Sequence, residues 1–286
     1  MLSLHQLRTF LEVVQTGSVR EAADRLIVSQ PAVSSALASL QRTLGVAVVE
    51  RDGRGLRITP AGERLATYGR QVFALLDEAV ADVRAAAGGA SAVRLTAVTT
   101  AAEQLLPALL AGFEPAAVEL HVANRDAVWD RLAHGEADLA IGGRPPDERF
   151  VSRAVRPNQL VVVASPHAAI DANALGTATW LVREPGSGTR ATTEALFEAL
   201  GITPTTVTIG SNGAILGCVR VGLGVSLLSR DALARDLADG EIVEVPTART
   251  PLVRDWHIVA LAGREPTIGA RRFLDHVVDS GAFERV

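Results

Sequence analysis

A seven-residue apolar repeat within the first hundred residues limits what this chain can fold into more than any other feature. Leu65, Val72, Ala79 and Ala86 recur every seven positions, with Gly69, Leu76 and Val83 between them. Thr59 is placed to cap a helix there and Pro60 to open it, because the missing N–H of a proline costs nothing in a first turn. Gly88-Gly89 end it near Ala87. A helix of about 27 residues is roughly 40 Å long at 1.5 Å per residue, more than a small domain can cover. Residues 60–89 therefore read as a linker that pairs with a second copy. Packing on the chain's own C-terminal domain is the alternative.

The repeat divides the 286 residues into a short segment, 1–59, and a long one, 90–286. With 48% hydrophobic and 21% charged residues, the chain has the balance of an ordered protein, not of a disordered tail. The net charge of −4 is unevenly spread: nine arginines against six acids give +3 over residues 1–70 and leave −7 for the rest. Arg8 and Glu12 interrupt the N-terminus, so no secretory signal is read there, and no stretch nears the roughly 20 apolar residues of a membrane span. A cytoplasmic, nucleoid-associated protein without membrane contact is expected. Cys218 stands alone in an apolar run and reads as a structural thiol in preference to a redox sensor.

Three helices are expected in the basic segment. Leu4, Leu7, Leu11 and Val14 form the first, closed by Gly17. Ser18 and Glu21 suggest a capping box for the second, whose Ala22, Ala23 and Leu26 allow close packing. The third starts at Ser29-Gln30-Pro31 and buries Val33, Leu37, Leu40 and Leu44. Its other face carries Gln30, Ser34, Ser35, Ala38 and Arg42: short residues for close approach to a major groove, with amide and hydroxyl groups for base edges and phosphates. Val46 to Val49, a glycine turn and Leu56 to Ile58 then read as a wing, whose Arg51, Arg54 and Arg57 suit phosphate contact.

These residues resemble the DNA-binding module of the LysR family of transcriptional regulators. The likeness runs through Phe10, Gly17-Ser18, Ala22-Ala23, Leu26, Ser29-Gln30-Pro31-Ala32-Val33-Ser34, Leu40 and Leu44-Gly45, then Glu50-Arg51, Leu56 and Thr59-Pro60-Ala61-Gly62-Glu63. Gln41 stands where family members usually carry Glu, and Val48-Val49 replace the usual Leu-Phe, which puts wing packing in question. The resemblance implies an N-terminal all-α winged helix-turn-helix, a long linker helix, and a C-terminal α/β two-lobed domain like the type 2 periplasmic binding proteins. It also implies promoter DNA with a partial palindrome as partner, a homodimer through the linker helix that assembles into a homotetramer, and RNA polymerase as a further candidate partner.

From Ala92 the pattern alternates between strands and helices, the mark of an α/β fold. Strands are expected at 93–98, 118–122, 137–141, 160–164, 179–182, 206–209 and 225–228, and helices at 101–113, 126–135, 189–200 and 214–221. A late strand, 256–261, and a last helix, 268–278, suggest a return to the first lobe. Lobe I is drawn at about 90–160 and 263–286, lobe II at about 161–262. Ligands in open α/β sheets lie beyond the carboxyl ends of strands. That rule selects Thr99, Thr100, Asn124 and Arg144 in lobe I, and Ser187, Gly188, Thr189, Arg190, Ser211 and Asn212 in lobe II. Hydroxyls, free N–H groups and an arginine in such loops suit a carboxylate or phosphate, so a small anionic metabolite is the expected partner. Arg183 could instead pair with Glu184, and Ser187 could be a helix cap. Arg183 through Arg190 resembles the LysR subgroup that regulates carbon-dioxide-fixation operons and sulfur assimilation, whose effectors are small anions.

No histidine pair, Cys-x-x-Cys or His-Glu-x-x-His spacing suggests an enzyme, and no cofactor is expected. A DNA-binding protein whose second domain serves assembly alone is the competing reading. In the favoured one, the anion shifts the two lobes, changes subunit packing and so alters the bend or spacing imposed on promoter DNA.

Overall fold

Three serines start the three N-terminal helices. In the computed structural model, which describes residues 1–52, 55–87, 92–113 and 117–286, these helices are α1 (Leu4–Thr16), α2 (Val19–Leu26) and α3 (Gln30–Leu44). The side chains of Ser3, Ser18 and Ser29 accept from the backbone N–H of Gln6, Glu21 and Ala32. The reciprocal capping box forms at Ser3 and Gln6, not at Ser18 and Glu21 as expected, because the Ser18 N–H is already donated to Thr16 Oγ1 at 3.3 Å. Phe10, Val13, Ala22, Ala23, Val33, Leu37 and Leu40 make the core, joined by Val48 and Ala66. Complete burial of Phe10 alone is worth roughly 2–3 kcal/mol. Leu4, expected inside, is exposed.

The wing is the antiparallel pair β1 (Val49–Asp52) and β2 (Gly55–Ile58). Its strand starts at Val49 and not at Val46, because the N–H groups of Val48 and Val49 both donate to Gln41 Oε1, at 2.9 and 3.2 Å. A neutral amide oxygen thus anchors the wing where the family usually has a carboxylate. Thr59 donates to the Ala47 carbonyl at 2.8 Å and caps α4 (Pro60–Ala86) through the Gly62 N–H. A Cβ on Gly62 would run into the Val48 carbonyl oxygen, so this close approach requires glycine. Tyr68, Val72, Leu76, Val80 and Val83 are exposed along α4. Gly88-Gly89, read as the stop, lie outside the described residues.

The chain forms two compact units, with Met1–Val80 the body of one and Ala81–Ala133 plus Ala137–Val286 the other. The second contains β3 (Ala92–Val98), α5 (Thr99–Gln104), α6 (Leu106–Ala111), β4 (Ala117–Ala123), α7 (Arg125–Ala133), β5 (Leu139–Gly142) and β6 (Phe150–Arg156). The single helix expected over 101–113 is two, broken at Leu105, because Pro107 lacks an N–H and its ring would clash with the Glu103 carbonyl. The chain continues as β7 (Gln159–Ala164), β8 (Trp180–Val182), α8 (Gly188–Leu200), β9 (Thr206–Thr208), α9 (Asn212–Arg220), β10 (Ser226–Ser229), α10 (Arg230–Ala238), β11 (Val243–Glu244) and β12 (Leu252–Val253). It ends with β13 (Trp256–Leu261), α11 (Ile268–Asp279) and β14 (Glu284–Arg285).

Lobe I is a six-stranded sheet in the order β14-β6-β13-β5-β3-β4, with β3, β4 and β5 parallel and β13 antiparallel to both its neighbours. Ile258, Phe273 and Val277 pack with Leu95 and Ile141 in its core. In lobe II, β7 pairs with β10, β11 and β12, and β8 pairs in parallel with β9. These pairings correct the boundaries read from the sequence. All of β7 belongs to lobe II, so the first crossing is at Asn158 and not at 160. All of β13 belongs to lobe I, so the return is at Arg254 and not after 262. Cys218 is half-buried against Ile215 and Val219. Among the described residues no helix is long and apolar enough to cross a membrane.

Candidate ligand cleft and nucleic-acid interface

The exposed face of α3 presents Gln30, Pro31, Ser34, Ser35, Ala38 and Arg42 to solvent, while Val33, Leu37 and Leu40 hold the helix from behind. Ser29 spends its hydroxyl oxygen on the Ala32 N–H, so its part is to set the helix start. Arg42 has no carboxylate within ion-pair distance among the described residues and is free to meet a phosphate. Arg57 differs: it sits opposite Glu50 across the wing and is bonded to it, so a phosphate there must compete with that carboxylate. Arg54 lies outside the described residues, as does the side chain of Arg51.

Between the lobes is a cleft of about 530 Å³ including its open mouth. Thr99, Thr100 and Asn124 line it from lobe I; Ser187, Gly188 and Thr189 line it from lobe II, all six as the strand-end rule selected. Asn124 Oδ1 caps α7 through the Ala127 N–H, leaving its Nδ2 against Gly186. Gly186 has φ +83°, and a Cβ there would stand 3.0 Å from that nitrogen, so the turn and the close approach of the lobes both need glycine. Ser187 caps α8 by accepting from the Arg190 N–H. That leaves the Gly188 and Thr189 N–H groups without backbone acceptors among the described residues, at the positive end of a 13-residue helix.

Four of the expected residues are elsewhere. Arg190 is turned away from the cleft: it donates to Glu194 one turn on, to the Arg183 carbonyl and to Thr208. Arg144 is exposed, because β5 ends at Gly142 and the chain has already left the sheet. Ser211 caps α9 through the Ala214 N–H. Asn212 sits beside the cleft, bonded to Arg183 in lobe II and to Thr100 and Glu103 in lobe I.

Arginines that the strand-end rule did not select line the cleft instead. Arg183 is buried, grips Glu184 with two bonds of 2.8 and 2.9 Å, and donates to Asn212. Burial pushes the Glu184 carboxyl up, but the bond from Arg183, a backbone bond and the charges of Arg183 and Arg190 outweigh it, so the group stays below the ordinary carboxylate range. This pair is electrically closed. Arg254 is not. It lies on the second crossing, with its backbone bonded both ways to Asn158. Its guanidinium rests against Gly143 of lobe I and Gly188 of lobe II. No carboxylate lies within ion-pair distance among the described residues. Burial, then the charge of Arg125, pushes its pKa down; a guanidinium nevertheless keeps its proton, so a mostly buried cation stands uncompensated. The signal for Arg254 was absent from the sequence because Val253-Arg254-Asp255-Trp256 ends no parallel strand.

Residues 4–63 match the model described as bacterial regulatory helix-turn-helix protein, lysR family, and residues 86–282 match the LysR substrate binding domain. The chain is 35% identical over 270 residues to the HTH-type transcriptional regulator CbbR of Rhodospirillum rubrum, covering 91% of each. It is 30% identical over 292 residues to a RuBisCO operon transcriptional regulator of Acidithiobacillus ferrooxidans, covering 98% of this chain and 94% of the relative. Among solved structures, the regulatory domain of CcmR from Synechocystis PCC6803 in complex with 2-PG (2-phosphoglycolate) is similar at a TM-score of 0.60 and 31% identity, over 66% of this chain and 96% of that one.

Proposed function

The chain belongs to the LysR family of DNA-binding transcriptional regulators, within the carbon-dioxide-fixation subgroup, and from that premise we propose that its effector is a small phosphorylated carboxylate seated between the lobes. The observation that carries this reading is Arg254, a cation held in the cleft with no ion-pair partner among the described residues. An anion there gains charge-assisted bonds and relieves an uncompensated buried charge at once. The Gly188 and Thr189 N–H groups and the hydroxyls of Thr99 and Thr100 supply neutral donors around it. 2-phosphoglycolate, the ligand of the CcmR regulatory domain, has the right charge for such a site. No cofactor is required.

LysR regulators bind promoter DNA, and here Gln30, Ser34, Ser35 and Ala38 read base edges while Arg42, Arg51, Arg54 and Arg57 hold phosphates. The exposed apolar residues of α4 support a homodimer through that helix, hence a partly palindromic operator and a dimer of dimers acting in the cytoplasm on nucleoid DNA, in contact with RNA polymerase. Effector binding alters lobe closure and so the bend imposed on the operator.

Isothermal titration of the full chain with 2-phosphoglycolate, inorganic phosphate and neutral ethylene glycol tests the effector reading. 2-Phosphoglycolate is expected to bind, inorganic phosphate more weakly and ethylene glycol not at all, and Arg254→Ala is expected to lose at least about tenfold in affinity for 2-phosphoglycolate. Equal affinities for wild type and Arg254→Ala would overturn it.

A further inference from the structure

Asn212 opens α9 in lobe II with 6% of its surface exposed. Its Oδ1 accepts from Arg183 Nη1 at 2.8 Å, and its Nδ2 donates to Thr100 Oγ1 at 2.8 Å and Glu103 Oε2 at 3.2 Å, both in lobe I. The chemistry of the ends fixes which way the amide faces. A guanidinium can donate and never accept, a carboxylate accepts and does not donate, so Oδ1 must face Arg183 and Nδ2 must face Glu103. Arg183 is itself held by both oxygens of Glu184. The direction of the next bond follows: Thr100 Oγ1 receives an N–H and keeps its own proton for another acceptor. Among the described residues that proton has none, and Thr100 lines the cleft.

We infer that Asn212 is a specificity-determining positioning residue, which by donating to Thr100 fixes that hydroxyl as a donor into the cleft and so selects a ligand bringing an anionic oxygen to it. The inference rests on the anion reading of the cleft. Hydrogen bonds in series polarise one another, so an anionic oxygen on the Thr100 hydroxyl strengthens the bond from Asn212, which runs from one lobe to the other. Ligand charge and lobe closure are thereby coupled through one side chain that does not touch the ligand. A ligand offering a donor at this point would find only the second lone pair of an oxygen that already accepts from Asn212, and would leave the Thr100 proton unused.

The test is a double-mutant cycle on the full chain, titrated with 2-phosphoglycolate, inorganic phosphate and sulfate. Asn212→Asp keeps the acceptor for Arg183 but has no N–H, so its second oxygen draws the Thr100 proton away from the cleft. It is expected to weaken binding about tenfold, Thr100→Val about as much, and the double variant no more than about twofold beyond Thr100→Val. In a Thr100→Ser background, where the hydroxyl is retained, Asn212→Asp should again cost about tenfold. Losses that multiply to about a hundredfold in the Asn212→Asp, Thr100→Val protein would mean that the new carboxylate acts through its charge alone, and would overturn the inference. Should Asn212→Asp fail to fold by circular dichroism, Asn212→Ala supplies the same cycle: about threefold weaker binding alone, and no further loss on Thr100→Val, with additivity again refuting. A wild-type chain that binds none of the three anions refutes the anion reading and this inference with it; binding with an additive cycle refutes the inference alone.

Discussion

Gly188→Ala separates the position of a charge from its presence. A Cβ at Gly188 would stand 2.3 Å from Arg254 Nη2, against the roughly 3.4 Å of ordinary contact, so the guanidinium has to retreat by about 1 Å. Moving a unit charge from about 3 to about 4 Å from an anion at an effective dielectric of about 20 costs roughly 1.4 kcal/mol, and a bond stretched from about 2.8 to 3.8 Å is no longer a hydrogen bond. The dissociation constant for 2-phosphoglycolate should therefore rise between about tenfold and about a hundredfold. Stability should not fall with it. Gly188 is the first residue of α8 and its φ is not positive, so alanine fits the backbone and reduces the freedom of the unfolded chain. Gly143→Ala is the control: its Cβ would stand 3.3 and 3.4 Å from the same guanidinium, a fit that tenths of an ångström restore, and its affinity should change by less than about threefold. Calorimetric titration gives the affinities, and thermal unfolding without ligand gives the stabilities. Wild-type affinity in Gly188→Ala, or an equal loss in Gly143→Ala, would refute the assignment of Arg254 as the anchor.

Three further outcomes follow from other parts of the molecule. Gln41→Ala leaves the Val48 and Val49 N–H groups without their acceptor, which should cost about 1–3 kcal/mol and weaken operator binding in a gel-shift titration; Gln41→Glu, which keeps an oxygen there, should bind like wild type. Ile27 is a β-branched residue at φ 57° with 92% of its surface exposed, so Ile27→Asn should raise stability by about 1 kcal/mol in denaturant unfolding, and a loss would show that the side chain packs on a partner. His257, bonded to Ser152 Oγ, has its pKa lowered by burial, with Asp255 raising it and Arg144 lowering it further. The unfolded chain then binds the proton more readily, so this contribution to stability is complete above about pH 6.5 and is lost as pH falls from there toward the lowered folded value. Denaturation midpoints between pH 8 and 5.5 should fall more steeply for wild type than for His257→Asn.

What the sequence made legible depended on whether a residue's role is local. The helix starts at Ser18 and Ser29 and the face of α3 follow from neighbours a few positions away, and a long motif fixed the winged domain. Thr99, Asn124 and Gly188 were readable because strand ends are local too. Arg190 misled, although Glu194 four residues on was visible, since an i,i+4 ion pair competes directly with a cleft. Arg254 could not be found this way. Its meaning lies in Gly143, Gly188 and Asn158, which come together when both crossings have formed, and in the lack of a carboxylate within ion-pair distance among the described residues. Gln41 shows the converse: a departure that put the wing in question serves as its anchor, because the position needs an acceptor and not a charge.

The place of β13 bears on how the protein is made. It is inserted between β6 and β5, and Ile258 and Phe273 complete the core of lobe I, yet these residues leave the ribosome after all of lobe II. During synthesis lobe II can close while β5 and β6 still present unpaired edges, the kind of surface on which chains associate wrongly. A message truncated before Trp256 should therefore yield a protein whose lobe II resists protease while lobe I is digested or aggregates. Residues 256–286 thus complete lobe I, and a chain cut before them is expected to lack one wall of the cleft.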